Sequence, residues 1–132
     1  MTPARRILAV DDDESSLRLM ENLIQSFGHE PEVARNALEA MSKLQDGIDL
    51  VILDLVMPGI DGFAAARQIR HDRRFCDIPI VVVTVLSSNE DQVKAAEAGA
   101  DAFIVKPFEK SELRNWVEAL LTMKETRNRL KT

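Results

Sequence analysis

Two kinds of segment alternate along this chain, and the alternation constrains its fold more than any other feature. Short apolar runs come first: RILAV (6–10), DLVILD (49–54), IPIVVVT (78–84) and AFIV (102–105). A weaker run, EPEVAR (30–35), takes the second place in the series. Most are continuously apolar rather than alternating, the pattern of strands covered on both faces. Between them lie stretches with helical spacing. Leu17, Met20, Ile24 and Phe27 form one stripe, and Ala37, Met41 and Leu44 a second. Gly62, Ala66 and Ile69 form a third, and Val93, Ala96 and Ala100 a fourth. Leu113, Trp116, Val117, Leu120 and Leu121 form the fifth. Each predicts a helix with one buried face. Asn36 with Glu39 has the form of a capping box, and Ser88 with Asp91 resembles one. Gly28, Gly47 and Gly99 each follow a stripe, where a left-handed cap is expected.

Strand then helix, five times over, predicts parallel strands joined by right-handed crossovers, with helices on both faces. Five units are too few for an eight-stranded barrel. The expected fold is therefore α/β: an open, doubly wound, five-stranded parallel sheet with five helices. A chain of 132 residues suits one domain with a real core. The expected division is a domain over 1–124 and a C-terminal tail over 125–132. In that tail Leu120, Met123, Arg127 and Leu130 keep coiled-coil spacing, with Arg127 spoiling one seam position. It reads as a helix extension, a dimer contact or the start of a linker.

In open sheets of this kind the working site lies at the carboxyl ends of the strands. The unusual polar residues all fall there. Asp11, Asp12 and Asp13 follow the first run, Asp54 ends the third, Thr84 ends the fourth and Lys106 follows the fifth. Asp54 sits between Leu53 and Leu55, and a buried charge needs a partner or a metal. Two carboxylates about 4 Å apart repel by roughly 4 kcal/mol at an effective dielectric near 20. Several on one rim call for a cation. Hard oxygen donors, with no Cys or His cluster, select magnesium, manganese or calcium over zinc. A carboxylate, a magnesium ion, a lysine and a hydroxyl make a phosphoryl-transfer set.

Bulk properties exclude several classes. Net charge is −5 and the basic residues are scattered, with a mild excess after Met123, so direct nucleic-acid binding is not expected. Cys76 is alone, which rules out an internal disulfide and fits a reducing compartment. The opening MTPARRILAVDDDE has no apolar stretch long enough for a signal peptide, and no run approaches a membrane span of about 18 residues. A cytoplasmic location without membrane contact is expected.

The segments ILAVDDD, LDLVMPGIDG, VVVT and AFIVKPF, in this order and spacing, resemble the receiver domain of two-component response regulators. The resemblance covers about Arg6 to Leu121. It implies a flavodoxin-like sheet of order 2-1-3-4-5 and a signalling switch, not an enzyme with external turnover. Asp54 would be the phosphoacceptor, charged from a phosphohistidine on a sensor histidine kinase or phosphotransfer protein. Asp12 would hold magnesium (manganese as an alternative) directly and Asp11 through water, with Asp54 and the Val56 carbonyl completing the set. Asp13 would not be a ligand. Thr84 and Lys106 would contact phosphoryl oxygens, and Lys106–Pro107 would be a cis peptide. Thr84 and Phe103 would form the switch, reshaping the surface of helix four, strand five and helix five for a downstream partner or output domain. Dimerisation would use helices four and five or the tail. Three positions depart from the family pattern. Val85 stands where a small residue is usual, Val56 and Leu86 are apolar where water attack is modulated, and Phe103 replaces a hydrogen-bonding tyrosine. Two other readings compete. A haloacid-dehalogenase-type phosphatase would use Asp11-x-Asp13 and leave Asp54 without a role. A phosphorylation-independent docking module would not need Asp12, Asp54, Thr84 and Lys106 together.

Overall fold

The structure is a computed structural model describing residues 4–56 and 61–130. Residues 57–60, within the LDLVMPGIDG motif, and the last two residues of the tail lie outside the described residues. Five strands, β1 (Arg6–Val10), β2 (Glu30–Ala34), β3 (Leu50–Leu53), β4 (Ile80–Thr84) and β5 (Ala102–Val105), alternate with helices. The helices are α1 (Glu14–Ser26), α2 (Ala37–Leu44), α3 (Gly62–His71), α4 (Asn89–Glu97) and α5 (Lys110–Leu130). All strand pairs are parallel, in the order β2-β1-β3-β4-β5.

The apolar runs become strands because both of their faces are covered. Leu8, Val10, Val51, Leu53, Ile80 and Val82 face α2, α3 and α4, in one buried cluster. Their neighbours Ile7, Ala9, Leu50, Ile52, Val81 and Val83 face α1 and α5, in the other. Alternate residues therefore enter opposite layers, as the pleat requires. Three helices cover one face of the sheet and two the other.

The helix stripes need three corrections. In α4 the buried residue is Ala95, followed by the buried C-cap Ala98, while Val93 is 57% exposed and Ala96 is also exposed. The small alanines let this short helix sit close to the sheet, and that contact, not the bulk of valine, fixes its rotation. In α5 Leu113, Val117, Leu120 and Leu121 are buried, but Trp116 stands on the exposed flank. In α2 Ala40 is buried and Met41 only half-buried.

Asn36 and Ser88 accept hydrogen bonds from the backbone N–H groups of Glu39 (2.8 Å) and Asp91 (3.0 Å), which caps α2 and α4. Gly28 and Gly47 have φ of +87° and Gly99 +109°. The Arg70 side chain lies across Gly99: Nε donates to the Gly99 carbonyl (3.0 Å) and Nη1 to that of Cys76 (3.2 Å). Its Nη2 donates to Asp101 (2.8 Å), whose carboxylate also receives the N–H of Ile80 at 2.8 Å.

Helix α5 continues without a break through the 124/125 boundary. Near its middle, Glu118 accepts from Nε2 of the buried His29 (2.7 Å), whose Nδ1 accepts the N–H of Arg5 at 3.1 Å. Beyond Leu121 it makes ion pairs, Lys124 to Asp49 (3.8 Å), Arg127 to Asp77 (3.9 Å) and Glu125 to Arg5, and Lys124 also donates to the Asp49 carbonyl at 3.3 Å. Among the described residues no helix is long and apolar enough to cross a membrane.

Gly28 and Gly99 permit a matched test. A Cβ on Gly28 would meet nothing within 4 Å, so Gly28→Ala should cost only backbone strain, about 1–2 kcal/mol. A Cβ on Gly99 would come within 3.0 Å of Arg70 Cγ, so Gly99→Ala should cost about 1 kcal/mol more as Arg70 loses its partners. Urea unfolding midpoints of the two variants check the order.

Candidate functional site

The order β2-β1-β3 places the topological switch point between β1 and β3, where a crevice opens beyond the strand ends. Asp11 and Asp12 follow β1, and Asp54 follows β3. Their main chains are held as further rungs of the sheet. Asp11 N–H donates to the Ala34 carbonyl (3.1 Å) and Asp54 N–H to that of Val10 (3.0 Å). At the other side, Lys106 N–H donates to the Thr84 carbonyl at 2.8 Å. Hydrogen bonding of the strands thus fixes where each of these side chains begins.

Four of the sequence candidates converge. Carboxylate oxygens of Asp11, Asp12 and Asp54 lie within 4.8 Å of one another. The Lys106 ammonium reaches across β4 to lie 3.4 Å from Asp11 Oδ2 and 3.6 Å from Asp54 Oδ2. The carboxylates of Asp11 and Asp54 are largely buried, whereas Asp12 is exposed. Asp54 Oδ1 accepts the N–H of Val56 (3.1 Å), and Asp11 Oδ1 that of Asp13 at 3.0 Å. The Lys106–Pro107 peptide is cis.

Other candidates take different positions. Asp13 turns to cap α1, its Oδ2 accepting from Ser16 N (3.1 Å) and Ser16 Oγ (2.9 Å), and those bonds lower its pKa. An Asp11-x-Asp13 nucleophile pair is therefore not assembled. Thr84 is fully buried, and its hydroxyl oxygen accepts the N–H of Leu86 at 3.3 Å. Phe103 is half-buried against the α2, α3 and α4 layer. Val56 and Val85 are exposed, while Leu86 packs partly into the same layer.

The cluster is electrostatically loaded. At about 4–5 Å and an effective dielectric near 20, each like-charged pair costs about 3–4 kcal/mol, which Lys106 offsets in part. Burial, and then the neighbouring Asp54, push the Asp11 pKa up from its ordinary value, against the pull of the Asp13 N–H and Lys106. Three clustered carboxylates, with no sulfur or imidazole beside them among the described residues, fit a hard divalent cation such as magnesium. A carboxylate oxygen beside an ammonium group can serve as a nucleophile toward phosphorus.

Two features escaped the sequence reading. Gly62, which the sequence places in a helix stripe and at the end of LDLVMPGIDG, is packed against the main chain of Asp54 and Leu55, with its N–H donating to the Leu55 carbonyl at 2.9 Å. The residue type carries no periodic signal of that contact. A groove of about 320 Å³ also opens beside the rim, with Leu19, Met20 and Leu23 of α1 facing Lys106, Pro107 and Phe108. Leu19, 55% exposed and off the buried stripe, was its one visible sign.

A family model described as the response regulator receiver domain matches residues 7–118. The transcriptional regulatory protein ResD of Bacillus subtilis is 38% identical over 121 residues, covering 91% of this chain and 49% of ResD. The DNA-binding dual master transcriptional regulator RpaA of Synechocystis is 33% identical over 117 residues, covering 88% and 48%. The chain thus spans about half the length of the curated relatives it matches. Among solved structures, the chemotaxis protein CheY4 of Vibrio cholerae superposes with a TM-score of 0.83 at 29% identity, covering 89% of this chain and 99% of that one.

The raised pKa of Asp11 has a defined sign for stability. The folded chain holds this proton more tightly than the unfolded chain, so its ionisation opposes folding at neutral pH. That opposition fades as pH falls from the raised pKa toward the ordinary value of 3.8. Asp11→Asn should therefore stabilise the metal-free protein at pH 7. Its advantage over the parent should shrink toward pH 4, and magnesium should raise the melting temperature of the parent but not of the variant. Thermal melts across pH, with and without magnesium, check both.

Proposed function

Because this chain belongs to the response regulator receiver domain family, a family of phosphorylation-controlled signalling switches, we propose that it takes a phosphoryl group on Asp54. The observation that carries the reading is the meeting of Asp11, Asp12, Asp54 and Lys106 at the β1–β3 crevice. An Asp54 carboxylate oxygen attacks phosphorus, the bond from phosphorus to the donor histidine nitrogen breaks, and the electron pair leaves with the imidazole. Lys106 holds the carboxylate oriented and meets the charge of the incoming group. Magnesium, or manganese, held by Asp11, Asp12, Asp54 and the Val56 carbonyl, would neutralise charge on the transferring oxygens.

The donor is a histidine kinase or phosphotransfer protein, for which the apolar groove of Leu19, Met20 and Leu23 beside Lys106 is the docking face we propose. Signal output follows from Thr84. Its hydroxyl, now bonded to the Leu86 N–H, turns toward the phosphoryl group and frees space that the half-buried Phe103 ring fills by packing alone. The α4–β5–α5 surface then changes for a partner or output domain, and a dimer through α4 and α5 or the tail is one form of output. These residues turn over no external substrate, bind no nucleic acid themselves and act in the cytoplasm. The match to regulators about twice as long supports an output carried by other residues or another chain.

Intact mass spectrometry after incubation with magnesium and a phosphorylated donor tests the assignment. The parent should gain one phosphoryl group and Asp54→Asn none. Steady phosphate-ester turnover lost in Asp11→Asn but kept in Asp54→Asn would instead identify a phosphatase. Val56 and Leu86 offer no side-chain group to orient a water, so the phosphorylated state should persist beyond about a minute without a phosphatase, a hydrolysis barrier above about 20 kcal/mol. Val85→Ala should speed labelling by small donors such as phosphoramidate, which a time course of the same mass shift would record.

A further inference from the structure

Gly62 begins α3 directly against the residue proposed to carry the chemistry. A Cβ added there would lie closer than 3.0 Å to the carbonyl oxygen of Asp54 and to Cα of Leu55, and at 3.0 Å from the Asp54 carbonyl carbon. These are backbone atoms, which cannot swing aside as the end of a side chain can. The glycine is not there for conformational freedom. Its φ lies outside the positive region occupied by Gly28, Gly47 and Gly99, and it is the first residue of a helix, where alanine would be favoured over glycine. The close approach is the one property that alanine would remove.

The approach is fixed from both sides. Leu55 is buried, and its carbonyl accepts the Gly62 N–H at 2.9 Å. Asp54 N–H is held by the Val10 carbonyl at 3.0 Å. The start of α3 is held in turn by Asp61, whose Oδ1 accepts the Ala64 N–H at 2.7 Å. The peptide joining Asp54 to Leu55 is thus clamped between β1 and the first turn of α3. That clamp sets where the Asp54 carboxylate stands relative to the Val56 N–H it accepts and to Lys106 Nζ at 3.6 Å.

Building on the assignment of Asp54 as phosphoacceptor, we infer that Gly62 is a positioning residue for phosphoryl transfer, holding the Asp54–Leu55 peptide by a backbone contact that no side chain could share. A displacement on the order of 1 Å at a reacting group is enough to slow a reaction about 100-fold. Gly62→Ala should therefore remain folded but accept a phosphoryl group from phosphoramidate about 10- to 100-fold more slowly at saturating magnesium, with a higher magnesium concentration at half-saturation. Gly28→Ala, strained but remote, serves as the destabilised control and should keep the parental rate.

A metal-free readout accompanies the rates: the Val56 amide resonance should shift in Gly62→Ala and not in Gly28→Ala. A folded Gly62→Ala with the parental rate and an unmoved Val56 amide would overturn the inference. Should Gly62→Ala fail to fold, Asp61→Ala, which loosens the start of α3 and keeps the glycine, decides the matter. A slower rate with a shifted Val56 amide supports positioning, and parental values of both overturn it. Failure of the underlying assignment would look different, since the parent itself would then take no phosphoryl group on Asp54.

Discussion

The central strands of a parallel sheet covered by helices on both faces offer no solvated position for a charge along their length. Every residue of β3 and β4 is buried, and alternate side chains of the central strands enter one apolar layer or the other. Ionised groups are driven to the strand ends by the cost of taking them out of water. The order β2-β1-β3-β4-β5 then opens a crevice beyond β1 and β3, so that Asp11, Asp12 and Asp54 meet at the one place where the layers part. Architecture and chemistry here have a single cause.

The same constraint explains why so much was legible in the sequence. Continuous apolar runs mark strands covered on both sides, and an aspartate or lysine directly after such a run must lie at its tip. What escaped was decided by contacts that leave no periodic trace. Around helix α4, Val93 and Ala96 keep the helical spacing that ends at the half-buried Ala100, yet Ala95 and the C-cap Ala98 face the core, because close approach selects small residues. Trp116 fits the spacing of α5 but lies beyond the edge of the buried face. Asp13 was legible, by contrast: expected not to be a ligand, it turns to the unsatisfied donors of the first turn of α1. The direction of the Thr84 hydroxyl, toward the Leu86 N–H, follows from local turn geometry that the residue type does not encode.

The carboxylate cluster is held together against its own repulsion. Lys106 arrives from β5, two strands away from β3, and its ammonium touches both Asp11 and Asp54. Part of the cost remains as the raised pKa of Asp11. A cation placed among these carboxylates would relieve that repulsion. The exposed Asp12 keeps one side of the cluster open to solvent, while Gly62 brings the first turn of α3 against the main chain of Asp54 and Leu55.

Helix α5 is attached in two different ways along its length. As far as Leu121 it is seated by apolar burial, helped by the bond from the His29 ring to Glu118. Because Nδ1 of that ring accepts from Arg5, the proton given to Glu118 is carried by Nε2 of a neutral imidazole, a bond that dissolved ions screen little. Past Leu121 the helix is fastened by Lys124, Glu125 and Arg127 to charges near the amino ends of the strands, and such pairs weaken as the Debye length shortens. Ionic strength is thus a selective handle on this helix: brine would unbutton its last two turns while the forward half stays seated.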